Sequence, residues 1–158
     1  MGKAELDPAK VPVKLEGGPV INQLTEIGGG AYAITCMSVG NPHCVVFCDS
    51  LDGLDIEQLG PRFEHAAIFP ERVNTEFVQV IDRTTIKMRV WERGSGETWA
   101  CGTGACAGAV AAILSGFCKA DAQVQVKLKG GTVGVRYEDG EVILTGDAVK
   151  VFDGEVEL

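Results

Sequence analysis

The sequence is short of positive charge. Its 158 residues hold 14 Lys and Arg against 22 Asp and Glu, a net charge of −8. That sign is wrong for neutralising nucleic-acid phosphates or anionic headgroups, so neither a nucleic acid nor a membrane surface is expected as partner. A small molecule or another protein is left. An export signal is missing too: Met1-Gly2-Lys3-Ala4-Glu5-Leu6 has neither the cationic nor the apolar region, and Leu6 stands where a myristoylation motif wants Ser or Thr. A cytoplasmic chain is the expectation. The longest apolar stretch, residues 100–118, falls short of the ~20 residues that a membrane span needs. No Cys-x-x-Cys closes a zinc site around Cys44, Cys48 and His43, and no Lys lies between Trp91 and Cys118 to serve a phosphate-binding loop. No metal is expected.

What the chain does have is 46% hydrophobic residues on a length that suits one domain, so residues 1–158 are read as a single domain with a real core. It also has 21 glycines and six cysteines. Without an export signal, Cys36, Cys44, Cys48, Cys101, Cys106 and Cys118 are read as reduced thiols. Alternation of Val11, Val13 and Leu15 suggests an edge strand. Residues 33–39 and 43–48 form a hairpin about Gly40-Asn41-Pro42, and residues 75–81 and 85–92 another about Asp82-Arg83-Thr84. Between them, Asp55 caps an amphipathic surface helix that runs through Phe63 towards His65, with Gln58 at the third position.

Residues 100–118 are nearly all small or apolar with no charged face, which predicts a helix buried on every side. Gly104 and Gly108 let strands pack closely against it. The tail alternates again at Val124, Val126 and Leu128, turns at Lys129-Gly130-Gly131, and turns once more at Asp139-Gly140. The predicted fold class is α+β: about eight antiparallel strands, as a curved sheet or barrel, wrapped around a central buried helix, with one surface helix.

Chemistry concentrates at the segment Glu92-Arg93-Gly94-Ser95-Gly96-Glu97-Thr98-Trp99-Ala100-Cys101-Gly102-Thr103-Gly104. Cys101 stands where a Gly-rich turn enters the buried helix. Unpaired N–H groups and the helix dipole there favour a thiolate, so a lowered thiol pKa is expected. The N–H groups of Gly102 and Thr103 make a nest for a carboxylate. A carboxylate held there beside a thiolate allows removal of the proton on its α-carbon, with the same donors stabilising the enolate-like charge. Taken alone, Cys101 reads rather as an ordinary small buried residue at a helix start. Glu92 follows the inward parity of Ile86, Met88 and Val90, and Arg93 offers a fork for a second carboxylate. Gly102, Gly104 and Gly108 also approach a dinucleotide fingerprint, but antiparallel hairpins around them would deny it the βαβ setting.

Three ordered motifs, Gly40-Asn41-Pro42-His43, Asn74-Thr75-Glu76-Phe77-Val78, and Glu92-Arg93-Gly94 through Cys101-Gly102-Thr103-Gly104-Ala105, resemble diaminopimelate epimerase, a cofactor-independent amino-acid epimerase family of lysine and peptidoglycan precursor synthesis. The resemblance implies two similar lobes with the site between them, of which this chain is similar to the C-terminal one. It implies Cys101 as one of two catalytic thiols, tuned by His43 and Glu92. Substrate would be bound by Asn41, Asn74, Glu92, Arg93, Gly102 and Thr103. The implied substrate is diaminopimelate, with no cofactor; the implied partner is an N-terminal lobe, and a homo-oligomer is possible. The second thiol of the family lies in a Cys-Gly-Asn-Gly element that these 158 residues lack, so the chain alone is expected to be inactive. A non-catalytic amino-acid binding module and a proline-racemase-like or isomerase relative are the alternatives.

Overall fold

The computed structural model describes residues 1–157. One sheet of ten strands dominates it. In chain order these are β1 (Gly2–Lys3), β2 (Gln23–Ile27), β3 (Gly30–Ser38), β4 (Pro42–Phe47), β5 (Asn74–Asp82), β6 (Thr85–Glu92), β7 (Gly96–Thr98), β8 (Val124–Leu128), β9 (Gly131–Glu138) and β10 (Glu141–Thr145). Helix α1 (Ile56–Glu64) joins β4 to β5, and α2 (Gly102–Leu114) lies between β7 and β8. The sheet runs β1-β10-β9-β8-β6-β5-β4-β3-β2, and β7 adds to the far end of β6. It curls around α2, which touches β3 to β6 and β8 to β10.

The architecture is the expected α+β one. The sheet, however, is mixed: β4 pairs with β5 and β6 with β8 in parallel, all other ladders being antiparallel. The reason is the connections. Parallel neighbours need a crossover, and α1 and α2 are those crossovers. The βαβ setting that hairpins would deny to α2 therefore exists, although β7 interrupts it before the helix.

Strand parity divides the core in two. Met37, Val45, Val78, Ile86, Met88 and Val90 face α2, while Ile34, Cys36, Cys44, Val46 and Phe77 face the other way, onto α1 and its flanking loops. Both faces of the second half of β3, of β4 and of the start of β5 are covered, which is why β4 is buried almost from end to end. Asp55 caps α1 as expected, its carboxylate accepting from the Gln58 N–H at 3.1 Å. The edge strand predicted at Val11, Val13 and Leu15 does not form. Asp7 instead starts a series of local turns, its carbonyl accepting from the N–H groups of Lys10 and Val11, and the turns bury Val11 and Val13 in the second core. The buried helix is also shorter than the apolar run, since Ser115 caps it and leaves Phe117 and Cys118 beyond its end.

Asp139 and Gly140 have φ of 51° and 84°, the two positive values that a two-residue hairpin of the favoured twist requires. Asp153-Gly154 makes no hairpin; residues 146–157 are exposed and irregular. No helix among the described residues is long and apolar enough to cross a membrane.

Candidate active site

Cys101 is the N-cap of α2. Its backbone is extended (φ −132°, ψ 113°) and its Sγ accepts from the Gly104 N–H at 3.3 Å, as a capping side chain does. The Thr103 hydroxyl lies 3.4 Å from the same sulfur. The N–H groups of Gly102 and Thr103 sit in the first turn, where a helix offers them no partner of its own. Gly102 is exposed and Thr103 half-buried, so this nest opens to the surface while the thiol is only 7% exposed.

The thiol is not acidified. Burial pushes the Cys101 pKa up, and the nearby Glu76 and Glu92 carboxylates add to that; the bonds from Thr103 and Gly104 pull it down and lose. The sequence captured the helix terminus and named Glu92 as a group that tunes the thiol, but not Glu76.

His43 and Glu76 face α2 from β4 and β5, each fully buried. His43 Nδ1 lies 2.7 Å from Glu76 Oε1, and its Nε2 lies 2.9 Å from Oδ1 of the half-buried Asn41. The ring is thereby fixed at both nitrogens. Glu76 Oε2 has no hydrogen-bond partner among the described residues. Burial raises the Glu76 pKa, against the opposing pull of His43. Sequence reasoning passed over Glu76, although an acid in the middle of a strand followed by Phe77-Val78 was a usable signal.

Asn74 and Arg93 meet, though not through the guanidinium. Asn74 donates to the Pro42 carbonyl at 2.9 Å and accepts from the Arg93 N–H at 2.9 Å, tying the Asn41-Pro42-His43 turn to the turn after β6. The Arg93 side chain is exposed and donates to the Glu71 carbonyl. Glu92 follows the inward parity expected of it: it is half-buried and accepts from the Thr98 hydroxyl at 2.5 Å. Glu64, another residue not anticipated, holds the same turn from α1 by accepting from the Trp91 indole at 2.8 Å and the Gly94 N–H at 3.0 Å.

The predicted residues thus form linked groups along one end of the sheet: Cys101 with Thr103, His43 with Asn41, Asn74 with Arg93, and Glu92 whose charge reaches both Cys101 and Glu76. A surface cleft of about 480 Å³ lies elsewhere, between β6 and β8, and none of these residues lines it. The thiol and its nest lie beside Trp99 and Ala100, both exposed.

Comparison with known proteins gives the family. The family model described as diaminopimelate epimerase matches residues 35–151. The diaminopimelate epimerase of Desulfovibrio desulfuricans is 48% identical over 163 aligned positions, which take in 98% of this chain and 56% of that protein. Those of Acaryochloris marina and Acetivibrio thermocellus are also 48% identical, covering 99% and 100% of this chain and 56% of each relative. The chain therefore spans about half the length of the curated relatives it matches. Among solved structures, PhzF-family phenazine biosynthesis proteins from Bacillus anthracis and Enterococcus faecalis share the fold, each with a TM-score of 0.50. Their identities are 22% and 15%, covering 72% and 68% of this chain and 38% and 40% of theirs. With three quarters of the chain inside the family model and close relatives along its whole length, the chain belongs to the diaminopimelate epimerase family.

Proposed function

We propose that this chain is the C-terminal lobe of a cytoplasmic diaminopimelate epimerase and supplies one half of its active site. The observation that carries the reading is Cys101 capping a buried helix beside the free N–H groups of Gly102 and Thr103. That arrangement seats a carboxylate on the nest and sets the sulfur against the adjacent carbon. One thiolate takes the proton from the α-carbon, the electron pair left behind is stabilised through the carboxylate by the helix donors, and a thiol on the opposite face returns a proton. Inversion needs both faces. This chain presents a single Cys-Gly-x-Gly element, so the second thiol must come from another lobe.

Arg93, exposed on the turn that Asn74 and Glu64 hold, would exchange its bond to the Glu71 carbonyl for the distal carboxylate of diaminopimelate once that lobe closes the site. Asn41 and His43 belong to the same wall. Glu92, with His43, sets the charge around the thiol. The names of the relatives support the isomerase assignment and a place in lysine biosynthesis.

The test is solvent-deuterium exchange at the α-carbon of meso-diaminopimelate. The purified chain alone is expected to show none, and exchange is expected to appear when an N-terminal lobe from a relative is added. Robust exchange by the chain alone would overturn the half-site reading. The incomplete wall favours one second reading, a non-catalytic amino-acid binding module; tight calorimetric binding without exchange under either condition would select it.

A further inference from the structure

Gly104 lies under the Cys101 sulfur, one turn into α2. A Cβ built on it would stand 2.7 Å from Glu76 Oε1 and 3.2 Å from Cys101 Sγ, so its missing side chain is the notch in which carboxylate and thiol approach each other. The two atoms are therefore within about 6 Å, the range in which one charge governs its neighbour's ionisation. Glu76 is fully buried, its Oε1 is bound to His43 and its Oε2 is unpartnered among the described residues. A lone buried carboxyl is costly, and His43 offsets only part of that cost.

We propose that Glu76 is a positioning residue for Cys101: seated in the Gly104 notch and anchored by His43, its carboxylate adds to the burial of the sulfur in keeping Cys101 in the protonated thiol form. The inference takes from the epimerase reading only that Cys101 is the working thiol. On that reading, Cys101 rests as the proton donor and the thiol of the other lobe rests as the base. The groups that bear on the sulfur come from three elements: the Thr103 hydroxyl and Gly104 N–H of α2, Glu76 of β5 and Glu92 of β6. Cys106 of α2 feels the Cys101 charge in turn; His43 of β4 and Glu92 of β6 bear on Glu76, whose charge also reaches Cys44 on the far face of β4. Both acidic groups oppose a thiolate. Glu76 is the one fixed in place by burial, which removes the water that would screen it.

Iodoacetamide alkylation of Cys101, located by peptide mass mapping and followed from pH 7 to 11, reads this directly and needs no catalytic turnover. In the native chain the midpoint is expected above the ordinary thiol value of ~8.5. Glu76→Gln keeps the shape and a bond to His43 but removes the charge; it is expected to lower the midpoint by about one pH unit, making alkylation at pH 8 roughly tenfold faster. A purely structural role for Glu76 would leave the midpoint unmoved, and that result overturns the proposal.

If Glu76→Gln fails to fold, the Glu76 side-chain carboxyl carbon signal in the native chain decides instead. It is expected to show an inflection at the alkylation midpoint that Cys101→Ser abolishes; no inflection overturns the proposal. Because neither readout involves substrate, failure here is distinct from failure of the epimerase reading.

Discussion

At the scale of the residue, Asn74 shows how a correct choice of position can hide what the side chain does. The sequence marks it as a polar group opening a strand within a specific motif. In the structure its amide is already committed, donating to Pro42 and accepting from Arg93, at 4% exposure. What the side chain does in the structure is hold the two turns in register. Asn74→Ala leaves a buried carbonyl and an N–H without partners, at about 1–3 kcal/mol for such a loss. Urea denaturation is expected to show a stability decrease of that size. An unchanged unfolding midpoint would mean that water replaces the amide and the turns are held elsewhere. Glu76 was legible by a rule not applied to it, since an ionisable residue inside an apolar strand demands a partner, and His43 is one pairing step from it across the β4 and β5 ladder. The expectation of an acidic Cys101 rested on the helix terminus, which is local in sequence; the burial that outweighs it comes from distant packing, and Glu76 of β5 and Glu92 of β6 add to it.

At the scale of the element, hairpins were readable and crossovers were not. Gly40-Asn41-Pro42, Asp82-Arg83-Thr84 and Asp139-Gly140 each carry their turn chemistry in three residues or fewer, and each joins antiparallel neighbours in the structure. Nothing local tells β4 that it will lie parallel to β5, because that pairing is decided by where α1 docks. The docking has its own signature. Gly60, on α1, lies against the Trp91 ring so closely that a Cβ would overlap it, while Glu64 one turn later accepts from the same indole. Gly60→Ala gains ~1 kcal/mol of helix propensity but must displace that ring, an overpacking cost of about 1–3 kcal/mol. The net expectation is a lower melting temperature and, because Trp91 moves, a changed tryptophan emission. A variant melting higher than the native chain would show that α1 can shift on the sheet and that the contact is loose.

At the scale of the whole molecule, the composition and the surface pull in opposite directions. A net charge of −8 favours dispersion, yet Trp99 is 77% exposed beside the Cys101 turn, and Val149, Val151, Phe152 and Val156 stand more than four-fifths exposed along the final segment. Apolar side chains gathered in this way mark surfaces that meet something. The chain covers 56% of the length of its relatives, so on the half-site reading the natural cover is the other lobe, and a second copy of the chain is the available substitute. Like-charge repulsion at −8 resists that pairing, and salt screens it, shortening the reach of the repulsion from ~10 Å at 0.1 M to ~3 Å at 1 M. Sedimentation velocity at increasing concentration is therefore expected to show a weight-average mass rising above 16.7 kDa, and rising further in high salt. If these apolar residues carry the contact, Trp99→Ser together with Phe152→Ser returns the chain to a monomer at every salt concentration. A native chain that stays monomeric at high concentration and high salt would show that the final segment folds back over its own apolar residues, and the half-site would then have to be completed by contacts around Trp99 alone.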